Sequence, residues 1–153
     1  MNRQTTRIPP EEIARQREFC AMLHERNAAR STAPLAFVDT YGCQQNEADS
    51  ERLRGYLSEM GYAFTDSEAR ADVIVINTCA IREHAEQRAL GNVGALVHTK
   101  RGKPGQLICV CGCMAQEPHV AEKLRQAYRQ VDLVFGPQAL WRFPELFYRL
   151  ATR

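Results

Sequence analysis

The sequence predicts an α/β fold with a doubly wound, mainly parallel sheet of about five strands and an appended N-terminal helix. Two observations lead to this fold class. From Leu35 onward, short apolar runs alternate with segments of helical periodicity, a pattern typical of βαβ units. The run Val73-Ile74-Val75-Ile76 is apolar without alternation. Strands of this kind are buried on both faces, so we expect helices on each side of the sheet.

The first element is predicted to be a helix in the N-terminal segment. Pro9-Pro10 followed by Glu11-Glu12 indicates a helix start, because proline suits the first turn and acidic side chains are favourable near the positive end of the helix dipole. Ser31-Thr32-Ala33-Pro34 ends the helical pattern. We therefore expect a helical extension and linker over residues 1–33 and the α/β domain over residues 34–153. The residues predicted on the buried face of the helix are Ile13, Cys20 and Leu23.

The remaining elements follow from apolar runs and helical stripes. The strand candidates are Leu35–Thr40, Tyr62–Thr65, Val73–Asn77, Leu107–Cys111 and Asp132–Phe135. One helical stripe consists of Leu53, Leu57 and Met60, and another of Val120, Leu124, Ala127 and Tyr128. Residues 79–98 and 138–150 complete the predicted helices.

Composition limits the class of protein. Hydrophobic residues make up 44% and charged residues 25% of the chain, so neither disorder nor a fibrous repeat is indicated. No apolar run approaches the roughly 20 residues that span a bilayer, and the polar N-terminus does not resemble a signal peptide. We expect a cytoplasmic protein without membrane contact, and a monomer. Its six cysteines are then expected to stay reduced.

The net charge of +2 lies entirely in the first 33 residues, where six arginines accompany four glutamates. Basic and acidic side chains balance over residues 34–153. The α/β domain is therefore not predicted to be a basic platform for nucleic acid. Lys100, Arg101 and Lys103 form a tight basic cluster, for which a solvated loop is the favoured interpretation.

Three of the six cysteines share one kind of position, just after a predicted strand. Cys43 follows the first strand, Cys79 follows the strand that begins at Val73, and Cys113 follows the strand that begins at Leu107. Because right-handed crossovers make the loops at the carboxyl ends of parallel strands converge on one crevice, these three thiols can meet.

The residues around these cysteines suit a reactive sulfur site. Gly42 and Gly112 directly precede two of them, and glycine permits conformations and close contacts that a side chain forbids. Asn46 with Asp49, and also Thr78, are expected to be helix caps. Caps at these positions would place the thiols near positive helix ends, which favour thiolates and anionic clusters.

The spacing of the cysteines bears on the metal that they could hold. Structural zinc prefers four protein ligands, commonly paired as CxxC, and neither feature is present here. Three separated cysteines would instead leave one corner of a cubane [4Fe–4S] cluster without a protein ligand, open to an exogenous sulfur or a substrate. Buried structural thiols are the alternative interpretation.

The other cysteines are expected to be packing residues. Cys109 and Cys111 alternate within one predicted strand and should be buried on the same face. Cys20 should pack in the core from the N-terminal helix. Cys111 could also approach Cys113, and cysteine pairs with this CxC spacing occur in redox proteins. A cytosolic thiol oxidoreductase therefore stays open as an alternative function.

Three motifs occur together in this sequence. They are Tyr41-Gly42-Cys43-Gln44-Gln45-Asn46-Glu47-Ala48-Asp49-Ser50-Glu51, Asn77-Thr78-Cys79-Ala80-Ile81-Arg82 and Gly112-Cys113-Met114-Ala115-Gln116. They resemble the three cysteine motifs in the N-terminal domain of the radical-SAM methylthiotransferases, and the resemblance covers about residues 35–150. Gln44 and the run that begins at Asn77 resemble the tRNA-modifying branch of that family. Gln45 departs from the methionine that is common at its position.

The resemblance implies that Cys43, Cys79 and Cys113 ligate an auxiliary [4Fe–4S] cluster whose open iron carries the sulfur to be transferred. The family adds a methylthio group to carbon 2 of N(6)-isopentenyladenosine beside the tRNA anticodon. It uses S-adenosylmethionine and a second [4Fe–4S] cluster, both in a radical-SAM domain.

Neither the CxxxCxxC motif of the radical-SAM domain nor the family's basic RNA-binding domain occurs in this sequence. We therefore expect this chain to be incomplete alone, as an excised domain, a truncated product or a fragment, and to meet tRNA only through the full-length enzyme. A non-catalytic iron–sulfur binding module is the remaining alternative.

Overall fold

The computed structural model describes residues 8–41, 44–78 and 83–153, with the side chains of residues 44–46 and 83–86 left out. Its strands are β1 Leu35–Tyr41, β2 Ala63–Phe64, β3 Val73–Thr78, β4 Leu107–Gly112 and β5 Leu133–Phe135. Its helices are α1 Pro10–Ala28, α2 Gln44–Glu59, α3 Glu83–Gly102, α4 Pro118–Ala127 and α5 Phe143–Ala151. Two short 3₁₀ helices, Cys113–Gln116 and Pro137–Arg142, follow β4 and β5.

The strands form one parallel sheet in the order β2-β1-β3-β4-β5. The register pairs Tyr41 with Thr78 and Thr78 with Gly112, so β1, β3 and β4 end level with one another. All five predicted strands are present, and each boundary lies within one residue of its predicted position. The predicted α/β fold class is confirmed.

Helices cover both faces of the sheet, because successive strand residues point to opposite sides. One apolar cluster combines α1, α2 and α5 with the strand residues Val73, Val75, Cys109 and Cys111. The other combines α3 and α4 with Ile74, Ile76, Ile108 and Val110. These strand residues are at most 1% exposed, so the expected burial on both faces is confirmed. No helix in the described part of the chain is long and apolar enough to cross a membrane.

The predicted helical stripes are largely confirmed. Leu53, Leu57 and Met60 are fully buried on α2, and Val120 and Leu124 are buried on α4. Tyr128 is half-buried against the same cluster as α4. The prediction for Ala127 was wrong, because it is the last residue of α4 and is exposed.

The C-terminal half of α1 packs in the core. A polar side chain of this helix is buried where an apolar one was predicted. Its buried residues are Gln16, Cys20, Leu23 and Asn27, which share one face of the helix. Cys20 and Leu23 were predicted correctly. Ile13 was not, since it is 48% exposed and Gln16 occupies the buried position one turn later.

Gln16 is buried because it pairs with Glu145 on α5. Its amide nitrogen donates to Glu145 Oε1 at 3.3 Å, and its amide oxygen accepts from the Glu145 backbone N–H at 3.0 Å. Arg142 and Arg149 hold the other carboxylate oxygen at 3.2 and 3.0 Å. Burying a carboxylate is costly unless it is paired, so this arrangement specifies how α1 docks on α5.

The last predicted helix is divided into two elements. A 3₁₀ helix runs over Pro137–Arg142, and α5 begins at Phe143. Pro144 lies in the first turn of α5, where its missing N–H costs nothing. The helix predicted over residues 79–98 is described from Glu83 and extends to Gly102.

Candidate metal centre

The carboxyl edge of the sheet is the place at which the three predicted ligands enter. Tyr41, Thr78 and Gly112 end β1, β3 and β4 side by side. Cys43, Cys79 and Cys113 each follow one of these ends within two residues. Neighbouring strands lie about 4.8 Å apart, so the three ends span roughly 10 Å. Cys43 and Cys79 themselves lie outside the described residues.

Cys113 is the predicted ligand that the structure describes. It is the first residue of the 3₁₀ helix after β4, and it is half-buried. The next two residues, Met114 and Ala115, are buried in the cluster beneath α3 and α4. The turn that carries Cys113 is therefore anchored in the core, while its thiol lies at the sheet edge.

Gly112 faces the backbone of β3 just before Cys113 and has no room for a side chain. Its φ is +100° and its ψ is −174°, a backbone region that residues with a side chain avoid. A Cβ at this position would lie 2.1 Å from the Thr78 carbonyl oxygen and 2.7 Å from Asn77 Oδ1. The close contact predicted for this glycine is confirmed. Gly42, the other glycine predicted here, lies outside the described residues.

Buried polar side chains surround the strand ends. Ser50 on α2 and Asn77 and Thr78 on β3 are at most 1% exposed. Asn77 Nδ2 donates to Ser50 Oγ at 3.0 Å, and the hydroxyls of Ser50 and Thr40 share a hydrogen bond of 2.6 Å. Thr78 Oγ1 donates to the Cys111 carbonyl at 2.8 Å. We call Thr40, Ser50, Asn77 and Thr78 the strand-end network.

The cap prediction is wrong for Asn46 and Asp49, and it stays a prediction for Thr78 because residues 79–82 lie outside the described residues. α2 begins at Gln44, so Asn46 and Asp49 lie within the helix rather than before it. Thr78 is the last residue of β3, and its hydroxyl bonds across to β4. α2 is described from Gln44, directly after Cys43 in the sequence, so the positive end of its dipole lies on the side of Cys43.

The pKa values of two ionisable groups beside the strand ends are shifted mainly by burial. Burial, followed by the carboxylate of Asp39, raises the pKa of Tyr41 to about 12. Burial also raises the pKa of Asp49, and Arg52 opposes that shift. Both groups are therefore harder to ionise here than in water.

The other cysteines behave as packing residues, as predicted. Cys109 and Cys111 are fully buried, and burial raises the pKa of both thiols well above the usual range. Cys20 is 2% exposed, and burial together with Glu59 raises its pKa to about 12. Neutral buried thiols are poor nucleophiles and poor metal ligands. This observation disfavours a thiol oxidoreductase that uses Cys111.

The donor set at the carboxyl edge fits an iron–sulfur cluster. It would supply three soft thiolates from three adjacent strand ends, and Gly112 lets β4 end directly against the backbone of β3. The described residues contain no group of three His, Cys, Asp or Glu side chains that could hold a metal ion. Cys43 and Cys79 do not belong to the described residues, so the three-cysteine site stays a prediction.

Comparison with known proteins identifies what the chain is similar to. The family model described as "Uncharacterized protein family UPF0004" matches residues 36–136. The chain is 44% identical to the tRNA-2-methylthio-N(6)-dimethylallyladenosine synthase of Acetivibrio thermocellus over 151 residues, which is 96% of this chain and 32% of the relative.

Two further relatives with the same name agree with this match. The protein of Clostridioides difficile is 44% identical over 148 residues, covering 94% of this chain and 31% of its own length. That of Caldicellulosiruptor saccharolyticus is 50% identical over 115 residues, covering 75% of this chain and 24% of its own length. The chain therefore spans about a third or less of the length of the curated relatives that it matches.

Proposed function

The chain belongs to the UPF0004 family, and we propose that it supplies the cluster-binding N-terminal part of a tRNA methylthiotransferase. The observation that carries the proposal is the level ending of β1, β3 and β4 at one edge, with a motif cysteine after each strand. Relatives named tRNA-2-methylthio-N(6)-dimethylallyladenosine synthase align with nearly the whole chain, which supports the same conclusion.

In this proposal Cys43, Cys79 and Cys113 hold an auxiliary [4Fe–4S] cluster. When bound, such a cluster offers one iron without a protein ligand, at which sulfur can be held. The chain contributes the positions of the three thiolates, and Gly112 lets β4 end directly against β3 beside Cys113. Cys109 and Cys111 stay in the core as neutral thiols and do not compete for metal.

The reaction proposed for the complete enzyme adds a methylthio group to carbon 2 of N(6)-isopentenyladenosine next to the tRNA anticodon. It requires S-adenosylmethionine and a second [4Fe–4S] cluster in a radical-SAM domain, together with an RNA-binding domain. We propose that residues 34–153 form the methylthiotransferase N-terminal domain, with residues 1–33 as its helical extension. We further propose that the chain is monomeric and cytoplasmic, and that it is inactive without the other domains.

The first test is anaerobic reconstitution with iron and sulfide, on the wild type and on alanine variants of the cysteines. We expect about four iron and four sulfide per chain, with loss in Cys43→Ala, Cys79→Ala and Cys113→Ala. Cys109→Ala and Cys111→Ala are the matched controls, and they should keep the metal. If Cys111→Ala loses as much iron as Cys43→Ala does, or if zinc binds instead, the three-cysteine cluster is refuted.

A second test separates a part of an enzyme from a non-catalytic iron–sulfur module. The reconstituted chain is mixed with separately prepared radical-SAM and RNA-binding domains of a relative, S-adenosylmethionine, a reductant and isopentenylated tRNA. Methylthiolated adenosine should form with the wild type and not with Cys79→Ala. A loaded chain that never supports this product would favour the binding-module alternative.

A further inference from the structure

The strand-end network is an anomaly within an apolar sheet. Ser50 and Thr78 are 0% exposed and Asn77 is 1% exposed, whereas the inner residues of β3 are all aliphatic. Burying a hydroxyl or an amide is costly unless it is hydrogen-bonded, and apolar residues of similar shape would serve the core as well. Their presence at one edge of the sheet therefore needs a specific explanation.

The network joins the segments that lead to the three motif cysteines. Ser50 Oγ accepts a hydrogen bond from the Asn77 amide and shares another with the Thr40 hydroxyl. These two hydrogen bonds link α2, β1 and β3. Thr78 joins β3 to β4 through the Cys111 carbonyl at 2.8 Å. Its backbone oxygen, with the Asn77 amide oxygen, occupies the space that a Cβ on Gly112 would need.

Each motif cysteine follows a different residue that takes part in these contacts. Thr40 lies three residues before Cys43, Asn77 lies two residues before Cys79, and Gly112 directly precedes Cys113. Hydrogen bonds are directional and short, so they set the relative position of these backbones more narrowly than apolar packing does. Residues behind metal ligands commonly fix the ligands in this way.

We propose that Thr40, Ser50 and Asn77 are positioning residues, which set the spacing of the three motif thiols before any metal arrives. The inference rests on the proposed function for the identity of the metal, but the positioning of the thiols can be tested without iron. It adds to the cysteine ligands a shell of residues whose role is to hold the ligands in place.

The test compares three threonine variants of the full chain. Thr40→Val keeps the shape of the side chain but removes the hydroxyl that Ser50 contacts. Thr40→Ser keeps that hydroxyl. Thr99→Val is the matched control, because it removes a part-buried hydroxyl that lies 2.9 Å from both the Leu96 carbonyl oxygen and Gln106 Oε1, away from the cysteine motifs. Urea unfolding of the metal-free variants measures the purely structural cost of each change.

Two readouts follow the thiols themselves. The first is the affinity for Cd²⁺, monitored by its thiolate charge-transfer absorbance; the second is the rate at which a chelator removes iron from the reconstituted chain. We expect Thr40→Val to weaken Cd²⁺ binding roughly 10-fold, the lower end of the effect seen for residues behind metal ligands, and to accelerate iron loss. Thr40→Ser and Thr99→Val should resemble the wild type.

The outcomes separate this proposal from the proposed function. If Thr40→Val equals Thr99→Val in both readouts, the positioning role is overturned. If the wild type binds Cd²⁺ through all three motif cysteines but takes up no iron–sulfur cluster, the proposed function fails, and the Cd²⁺ affinities alone decide the positioning role. If Cys43→Ala, Cys79→Ala and Cys113→Ala do not each weaken Cd²⁺ binding, the thiols are not preset and the inference is wrong.

Discussion

The two ends of the strands carry different kinds of polar side chains. At the amino edge, where the strands begin, carboxylates accept hydrogen bonds from backbone N–H groups. Asp72 accepts from the Leu35 N–H at 2.7 Å, and Asp132 accepts from the Ile108 N–H at 2.9 Å. At the carboxyl edge the strand-end network consists of uncharged hydroxyls and an amide, and the motif cysteines follow it.

Charge is also paired at the amino edge. The Lys103 ammonium lies 3.0 Å from Asp72, and the Lys100 ammonium pairs with Asp132. These lysines belong to the basic cluster for which a solvated loop was the favoured interpretation. That interpretation is wrong for Lys100, which lies on α3 with its side chain 22% exposed, whereas Lys103 follows the helix in a bend and its side chain is 37% exposed. Arg101, the third member, is exposed.

Gln106 completes the amino edge. It is fully buried, and its amide nitrogen donates to the Glu68 and Ala71 carbonyls at 2.8 Å each. Its amide oxygen accepts from the Thr99 hydroxyl at 2.9 Å. The amino edge is thus closed by the chain's own charges and amides, whereas the carboxyl edge ends in cysteine motifs. We infer that the first edge serves stability and the second serves the site.

The largest effect is expected at the carboxyl edge from Gly112→Ala. Its Cβ would lie 2.1 Å from the Thr78 oxygen. The strained backbone costs about 1–3 kcal/mol and the overpacking a similar amount. We expect the free energy of unfolding in urea to fall by about 2–5 kcal/mol, with loss of iron binding even where the chain remains folded.

Gly91→Ala is the matched control for that change. A Cβ on this α3 residue meets nothing within 4 Å. Alanine favours helix over glycine, so the control should be neutral or more stable by about 0.5–1 kcal/mol. If Gly112→Ala and Gly91→Ala had the same free energy of unfolding, a side chain at position 112 would not clash with the backbone of β3.

The second effect, at the amino edge, should change stability without changing the metal site. Asp132→Ala removes the acceptor of the Ile108 N–H and the partner of Lys100 from a side chain that is 10% exposed. We expect a loss of about 2–3 kcal/mol in the free energy of unfolding, because a buried donor and a cation lose their partner. Reconstituted iron per folded chain should match the wild type.

Glu122→Ala provides the comparison for Asp132→Ala. Glu122 pairs with Arg125 at 3.8 Å, and both side chains are more than half exposed. Exposed pairs of this kind contribute about 0–1 kcal/mol, so urea unfolding should barely change. A loss of iron binding in Asp132→Ala at full stability would contradict the division of roles between the two edges.

The sequence is a good guide to the sheet and a poor guide to its polar connections. Continuous apolar runs such as Val73–Ile76 locate the strands, because burial on both faces leaves a pattern within a few adjacent residues. Cys43, Cys79 and Cys113 could be predicted as one candidate site, since each follows a strand. Whether all three bind metal stays a prediction.

The polar residues were missed because their partners are distant in sequence. Asn77 stabilises its buried amide through Ser50, which lies on another element, and Gln16 is buried instead of Ile13 only because Glu145 faces it. Hydrogen bonds of this kind leave no periodic pattern along the chain. Asn77 and Ser50 do lie within the cysteine motifs, which was the available hint.

The smallest expected effect concerns pH and the amino edge. Burial alone would raise the pKa of Asp72, but the Leu35 N–H and the Lys103 ammonium outweigh it and hold the pKa below the usual 3.8. Because this carboxyl ionises more readily in the folded chain, its stabilising contribution is full well above pH 3.8. That contribution is lost as the pH falls through the lower pKa of the folded state.

We therefore expect Asp72→Asn to lower the free energy of unfolding by about 0.5–1 kcal/mol at neutral pH, as for a partly exposed ion pair. The difference from the wild type should shrink as urea unfolding is repeated at pH values below 3.8, because both chains then carry an uncharged side chain there. Asp66→Asn, at an exposed position, is the control and should show no comparable pH-dependent difference. A difference between Asp72→Asn and the wild type that stays constant across the acid range would mean that hydrogen bonding rather than charge holds this edge. The contrast between a charged amino edge and the uncharged strand-end network would then lose its support at Asp72 and would depend on Asp132.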